Sequence, residues 1–433
     1  MKLSASPAAG PLRGDYQPPG DKSISHRLAI LGGLANGETQ IRGFLDAADT
    51  RATLAAMAAM GAEVSENDGL IGIRGGRLRA PSTPLDLGNS GTGMRLLCGA
   101  LCGHPDLHGA SLQLVGDASL SARPMGRITR PLGEMGAMVH ASDGHAPLNL
   151  KPCGLKAIRY VMPVASAQVK TAVLLAGLFA EGDTVVVEPG PSRDHSERLL
   201  PAFGVSLFDC EPGIGLRGGQ KLRAASCHVP GDLSSAAFVV GAGLLAAGTE
   251  GLNLANVGLN PTRDGVLRIL RAMGGNIELE AGDAVGAEPV GRLLVRQSSL
   301  TGIDIPAEWV PLAIDEFPLI MALAAVAEGT TRIQGAAELR VKESDRLAVM
   351  SEQLRRLGVK VEETPDGAII EGGEVKGGQV DSAGDHRIAM SLAVLALVAR
   401  EPVEIDNAEW IRTSYPGFAD DLRALGAQLE WID

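Results

Sequence analysis

Aromatic side chains are scarce in this chain: seven Phe, three Tyr and three Trp among 433 residues. A platform that stacks successive bases of a single strand needs more rings than that, which disfavours a nucleic-acid binder of that kind. Basic residues are also in the minority, 39 Lys and Arg against 51 Asp and Glu for a net charge of −12, so a broad phosphate-tracking surface is not expected either. The five cysteines are an odd number with no Cys-x-x-Cys pair, which points to reduced thiols in a cytoplasm rather than a disulfide framework. The first twenty residues carry neither the apolar core of a signal peptide nor an Arg-rich amphipathic transit segment. Long hydrophobic runs are missing as well: the longest apolar stretch is about a dozen residues, short of the roughly 20 that span a bilayer. The expectation is a cytoplasmic enzyme with no membrane and no nucleic-acid partner.

What the chain has is a phrase that recurs six times, a helical run ending in a large apolar residue, then Gly, then a small residue, then a strand-like alternation. The copies are Met60-Gly61-Ala62, Met135-Gly136-Ala137, Phe203-Gly204-Val205, Met273-Gly274-Gly275, Leu357-Gly358-Val359 and Leu425-Gly426-Ala427. Their glycines lie 75, 68, 70, 84 and 68 residues apart, so the chain reads as six copies of one unit of about 70 residues. Each copy also carries a stretch that is apolar nearly all round, at residues 28–35, 94–102, 172–180, 236–247, 319–327 and 388–399. Such helices must be buried. The other helix of each copy is amphipathic, as at 345–357, where Leu347, Met350, Leu354 and Leu357 recur at spacings of 3 and 4. Strands packed by one inner and one outer helix follow, and 45% hydrophobic residues suffice for at least two cores.

A near-repeat divides the chain. Pro19-Gly20-Asp21-Lys22-Ser23-Ile24-Ser25-His26-Arg27 returns as Pro230-Gly231-Asp232-Leu233-Ser234-Ser235-Ala236-Ala237-Phe238, with three units after each copy. Gly, Asp and Ser are kept in both, as a turn and a helix cap require. Lys22, His26 and Arg27 are replaced by Leu233, Ala237 and Phe238, so the scaffold does not need them. A Lys and an Arg at a helix start suit an anion; the plain alternative is a solvated pair of Lys22 with Asp21. Similar charge stands ahead of other helices: Arg123 and Arg127, Arg193-Asp194-His195, Asp315-Glu316, Arg340 to Arg346, and Asp385-His386-Arg387. Taken singly these are weak. Glu343 and Arg346 could decorate a solvated face, and Gly88-Asn89-Ser90-Gly91-Thr92-Gly93 lacks the Lys of a nucleotide loop. His104 and His108 enclose Pro105 and have no acid placed for zinc, so no metal site is expected; Cys98 and Cys102 read as packing.

Taken together, GDKSISHR at 20–27, GNSGT at 88–92, DASLSARPMGR at 117–127 and ASAQVKTAVLLAG at 165–177 resemble the 5-enolpyruvylshikimate-3-phosphate synthase family, as do RDHSE at 193–197, NPTRDG at 260–265, LRVKESDRL at 339–347 and DHRIAM at 385–390. The SAQVK, RDHSE and NPTR forms resemble its class II subset. The resemblance implies an α/β fold of two inside-out, barrel-like domains, each of three βαβαββ units: residues 1–19 plus 231–433, and residues 20–230, with substrates in the cleft between. It also implies transfer of the enolpyruvyl group of phosphoenolpyruvate to the 5-hydroxyl of shikimate 3-phosphate with release of phosphate, by a monomer that needs no metal or redox cofactor.

Carried over residue by residue, the resemblance implies that Lys22, Gly91, Arg123, Gln168, Arg346 and Arg387 meet phosphoenolpyruvate. Lys22, Ser23, Arg27, Ser166, Ala167, Gln168, Arg193, Asp315 and Lys342 would meet shikimate 3-phosphate, and Lys22, Asp315 and Glu343 would move protons. Phe317 stands where class II members commonly have Tyr, and Thr413 where class I members place a Lys. Gly91 stands where glyphosate-tolerant class II members carry Ala, so competitive inhibition by glyphosate is expected. A UDP-N-acetylglucosamine enolpyruvyl transferase would be expected to carry Lys-Asn at the first motif and a reactive Cys in a mobile loop; Lys22-Ser23 and the Cys-free Arg123 loop speak against it. An RNA 3'-phosphate cyclase or a noncatalytic scaffold fits the acidic balance and the clustered charge poorly.

Overall fold

The computed structural model describes residues 1–432. The chain forms two compact units, the first holding 1–19, 230–284 and 289 onward, the second Gly20–Val229 with Val285–Glu288. Pro230 thus groups with the first unit, and Val285–Glu288 groups with the second although the sequence around it does not.

Twelve helices alternate as inner and outer members of six repeats. They are α1 (Lys22–Leu34), α2 (Ala48–Ala59), α3 (Gly91–Cys102), α4 (Gly126–Glu134), α5 (Ala167–Gly177) and α6 (His195–Leu199) in the second unit. The first unit has α7 (Leu233–Ala246), α8 (Gly265–Ala272), α9 (Phe317–Ala324), α10 (Arg346–Arg356), α11 (His386–Ala396) and α12 (Phe418–Ala424). The odd-numbered helices are the apolar stretches, and they are buried on almost every face. Five outer helices end within two residues of the recurrent glycine, and α6 reaches it through a 3-10 turn, Leu200–Phe203. Gly61, Gly136, Gly204, Gly274, Gly358 and Gly426 all have φ between 80° and 106°, a left-handed conformation that glycine adopts without a Cβ clash, so the chain reverses there into a strand.

Five inner helices start at a side-chain cap: Asp21 accepts from Ile24 N, Ser90 from Gly93 N, Ser166 from Val169 N, Asp232 from Ser234 N and Asp385 from Arg387 N. The duplicated turn serves one purpose twice, since a Cβ on Gly20 would meet the Gly43 carbonyl oxygen at 1.8 Å and one on Gly231 the Asn256 oxygen at 2.5 Å. Many of the buried charged residues, Asp21, Arg27, Asp232, Arg346 and Asp385 among them, stand at the helix starts, beside two apolar cores, one per unit.

The sheets repeat one order. In the middle repeat of the second unit, Leu85–Asp86 runs parallel to Leu112–Val115, which pairs antiparallel with His145–Lys151, itself antiparallel to Met138–Ser142. That is a βαβαββ unit. Two repeats borrow their first strand: Ser226–His228 lies parallel to Gly37–Arg42, and Leu12–Tyr16 parallel to Ala247–Gly258. The last repeat borrows its final strand, with Lys2–Ala5 between Val403–Asp406 and Leu429–Ile432. The fifth keeps only a bridge, Asp304 to Arg332, where the others have a first strand. No helix of the described residues is long and apolar enough to cross a membrane.

Candidate active site

In the second unit the starts of α1, α3, α5 and α6 gather side chains from four segments. Lys22, at the first turn of α1, donates to Asp49 Oδ2 at 2.6 Å, and Asp21 Oδ1 caps the same helix by accepting from Ile24 N. Arg27, one turn on, is 4% exposed. Its Nε donates to Ser196 Oγ and its Nη2 to Thr171 Oγ1, both at 2.8 Å, and Nη1 reaches the Ser23 carbonyl at 3.0 Å. Burial lowers the Arg27 pKa to about 10 against the pull of Glu197 and Asp21, and the group stays a cation at neutral pH. Arg193 Nη1 donates to Ser23 Oγ at 3.5 Å. Gln168, in the first turn of α5, donates to Thr92 Oγ1 at 2.9 Å and accepts from Arg95 Nη1 at 2.8 Å. Arg123 is drawn in by Asn89, donating from Nη2 to Oδ1 at 2.6 Å and from Nη1 to the carbonyl at 3.3 Å. Gly91 lies under both arginines: a Cβ there would be 3.1 Å from Arg123 Nη1 and 3.2 Å from Arg95 Nη1. Ser166 caps α5 and Ala167 opens it.

The first unit gathers a set of its own. Arg346, at the first position of α10, is 1% exposed and touches three carboxylates: Asp385 Oδ2 at 2.8 Å, Glu343 Oε2 at 2.7 Å and Asp315 Oδ1 at 3.4 Å. Burial opposes its charge but is outweighed by Asp385, Glu343 and Asp315, so its pKa is raised further. The solvated pair of Glu343 and Arg346 considered from sequence is thus anchored at a buried guanidinium. Lys342 Nζ stands 3.2 Å from Asp315 Oδ1, and Arg387 Nη1 donates to the Asp315 carbonyl at 3.1 Å. Three cations, Arg346, Lys342 and Arg387, and three carboxylates, Asp315, Glu343 and Asp385, in this density mark a functional site more readily than a purely structural one. Among the described residues, no group of three or more His, Cys, Asp or Glu could hold a metal ion.

A family model for EPSP synthase (3-phosphoshikimate 1-carboxyvinyltransferase) matches residues 7–422. The chain belongs to the EPSP synthase family. A 3-phosphoshikimate 1-carboxyvinyltransferase from Acidithiobacillus ferrooxidans is 53% identical over 423 residues, covering 97% of this chain and 96% of that protein. One from Halorhodospira halophila is 52% identical over 97% of this chain and 95% of that protein. Among solved structures, an EPSP synthase from Acinetobacter baumannii superposes with a TM-score of 0.86 at 43% identity, covering 99% of each chain. The enolpyruvyl transferase NikO from Streptomyces tendae superposes at 0.80 with 19% identity over 99% of this chain and 98% of that one, a likeness of fold alone.

Beside the residues of the EPSP synthase motifs, several side chains to which the sequence assigned no role in the site build these clusters. Asp49 fixes Lys22, Asn89 fixes Arg123, Arg95 fixes Gln168, and Asp385 fixes Arg346. Lys170, inside the SAQVK run and 2% exposed, lies 2.6 Å from both Glu188 and Glu197. Asp385 had a signal, standing at a helix start beside His386 and Arg387; Asp49, in the first turn of the alanine-rich α2, belongs to none of the motifs.

Proposed function

We propose that this protein transfers the enolpyruvyl group of phosphoenolpyruvate to the 5-hydroxyl of shikimate 3-phosphate, releasing phosphate. What carries the reading is the near-full-length match to relatives that bear the name of that activity. In the reaction a proton adds to C3 of phosphoenolpyruvate while the 5-hydroxyl oxygen bonds to C2 and gives up its own proton. The tetrahedral intermediate then loses a C3 proton and the C2–O bond to phosphate. It needs acid and base groups at C3 and at the hydroxyl, and cations about two phosphates and a carboxylate.

Asp315 is assigned to the reacting hydroxyl, Glu343 to C3, and Lys22 to assist in proton transfer. Lys22, Arg123, Arg346 and Arg387 take the phosphate and carboxylate of phosphoenolpyruvate, with Gly91 and Gln168 beside them; arginine suits these groups through its planar two-point contacts. Ser23, Arg27, Ser166, Ala167, Gln168, Arg193 and Lys342 take shikimate 3-phosphate. The Ser23, Thr171 and Ser196 oxygens around Arg27 support that placement, because they fix its fork before any ligand arrives. We further read the two units as inside-out α/β domains, each drawing its apolar helices inward, and the protein as cytoplasmic and monomeric.

The deciding experiment measures phosphate release from phosphoenolpyruvate with shikimate 3-phosphate or UDP-N-acetylglucosamine as acceptor. Release with shikimate 3-phosphate alone, abolished in Lys22→Met, supports the reading. Release with the sugar nucleotide alone overturns the acceptor, and release with neither overturns the activity.

A further inference from the structure

Glu316 is used neither by the motif comparison nor by the proposed chemistry, yet it is 4% exposed and ionisable. It sits between Asp315 and the first residue of α9. Its carboxylate accepts a hydrogen bond from Ser234 Oγ. Ser234 Oγ in turn accepts from Arg263 Nη2 at 2.6 Å, and the same nitrogen lies 2.9 Å from Asp232 Oδ1. The same oxygen, Glu316 Oε1, lies 3.6 Å from Arg387 Nη1, the nitrogen that also donates to the Asp315 carbonyl. Two guanidiniums, two carboxylates and a hydroxyl form a chain that is almost closed to water.

A buried carboxylate persists only when its charge is met, and here Ser234 and Arg387 meet it at one oxygen, Oε1. The Arg263 end is inert packing: Arg263 and Asp232 side chains are each 5% exposed. The Arg387 end is not, since that side chain is 11% exposed and both its contacts run through Nη1, leaving the rest of the fork to a ligand. A long flexible cation tied at one nitrogen binds without losing its rotamer freedom at that moment.

We propose that Glu316 is a positioning residue, anchored by Ser234 and Arg263, that orients Arg387 toward the phosphoenolpyruvate anion. This rests on the reaction proposed above. Glu316 touches neither substrate and acts through Arg387. Its effect therefore belongs to one substrate.

Steady-state kinetics of the full chain test it, with wild type, Glu316→Gln, Glu316→Asp, Ser234→Ala, and Glu316→Gln combined with Arg387→Ala. The Gln variant keeps the acceptor for Ser234 but removes the charge. Its expected signature is a KM for phosphoenolpyruvate raised about tenfold, with kcat and the KM for shikimate 3-phosphate within about twofold. Asp restores part of the loss, Ser234→Ala raises the same KM by less, and in the Arg387→Ala background the Gln substitution adds nothing. Equal rises for both substrates, or an undiminished effect without Arg387, overturn the proposal. If Glu316→Gln does not fold, Ser234→Ala decides alone, for or against, by whether its KM change is selective. An inactive wild type would strike at the reaction itself, whereas an active wild type with an unselective Gln variant strikes only at the positioning.

Discussion

A methyl group on Gly91 has little room, because the Arg123 and Arg95 guanidiniums would stand 3.1 and 3.2 Å from it and would have to give by a few tenths of an ångström. Glyphosate, longer than phosphoenolpyruvate, should feel that shift more. Gly91→Ala is expected to raise the glyphosate inhibition constant by about tenfold or more while moving the phosphoenolpyruvate KM less, the scale on which one methyl group discriminates. An unchanged inhibition constant would sink this. His26 makes a second residue-scale case. It is fully buried, with Nδ1 at 2.8 Å from Thr53 Oγ1, and burial, then Lys22 and Arg27, push its pKa well below the ordinary 6.5 against a weaker pull from Asp21. The folded protein keeps it neutral. The unfolded chain takes up a proton once pH falls below 6.5, so stability present above that pH is lost as pH falls from there toward the depressed folded value. Melting curves at pH 7.5 and 5.5 should show a larger fall for wild type than for His26→Asn; parallel falls would acquit His26. Lys22, Arg123, Arg346 and Arg387 were legible as charge at helix starts, and so were the acids around Arg346, but the partners of Lys22 and Arg123 were not. Asp49 and Asn89 become partners only once the chain has folded back across 27 and 34 residues.

The helices show why some elements announce themselves and others do not. An all-apolar segment has one fate in a water-filled compartment, so the inner helices were readable from composition alone. Their starts were readable too, from Asp and Ser caps. Strands such as Arg159–Val161 and Ser226–His228 have only three residues, too few for an alternation to be told from chance, and exist because Val185–Val187 and Gln40–Arg42 offer them parallel partners. No local pattern encodes that. Helix α6 ends after five residues and passes into a 3-10 turn containing Pro201, a shortening the periodicity alone did not give. Close helix packing yields a contrasting pair of predictions. A Cβ on Gly99 of α3 would stand 2.2 Å from the Ala172 carbonyl oxygen of α5, a backbone atom that cannot rotate away. Gly99→Ala should cost about 1–3 kcal/mol in urea unfolding, as overpacking does. Gly133, near the end of α4, has nothing within 4 Å of its Cβ position, and Gly133→Ala should add about 0.5–1 kcal/mol by helix propensity. Equal effects at the two sites would show that helix contact is not what sets the choice of glycine.

At the scale of the molecule, periodicity gave the number of repeats, and what it hid was where each begins. The sixfold glycine spacing marks the middle of a repeat, while the strands that open or close three of them come from distant sequence. The first 19 residues belong wholly to the first unit. Leu12–Tyr16 opens the repeat of α7, and Lys2–Ala5 fills the gap between Val403–Asp406 and Leu429–Ile432 in the repeat of α11. Leu3 and Ala5 are completely buried there. Removing Lys2–Ala5 therefore does more than trim an edge: it strips two neighbouring strands of their common partner and opens the core beneath. The second unit takes none of its strands from this segment, as they all lie between Gly37 and His228. Deleting residues 2–5 should accordingly render 230–432 sensitive to brief proteolysis while 20–229 stays protected, with fragments assigned by mass spectrometry. Leu3→Ala, which keeps the strand and removes only its buried side chain, should cost about 2–5 kcal/mol and leave the cleavage pattern of the intact protein. Uniform sensitivity of both units after the deletion would mean that they fold as one cooperative body, and protection of both would mean that Val403–Asp406 and Leu429–Ile432 find each other without the strand now lying between them.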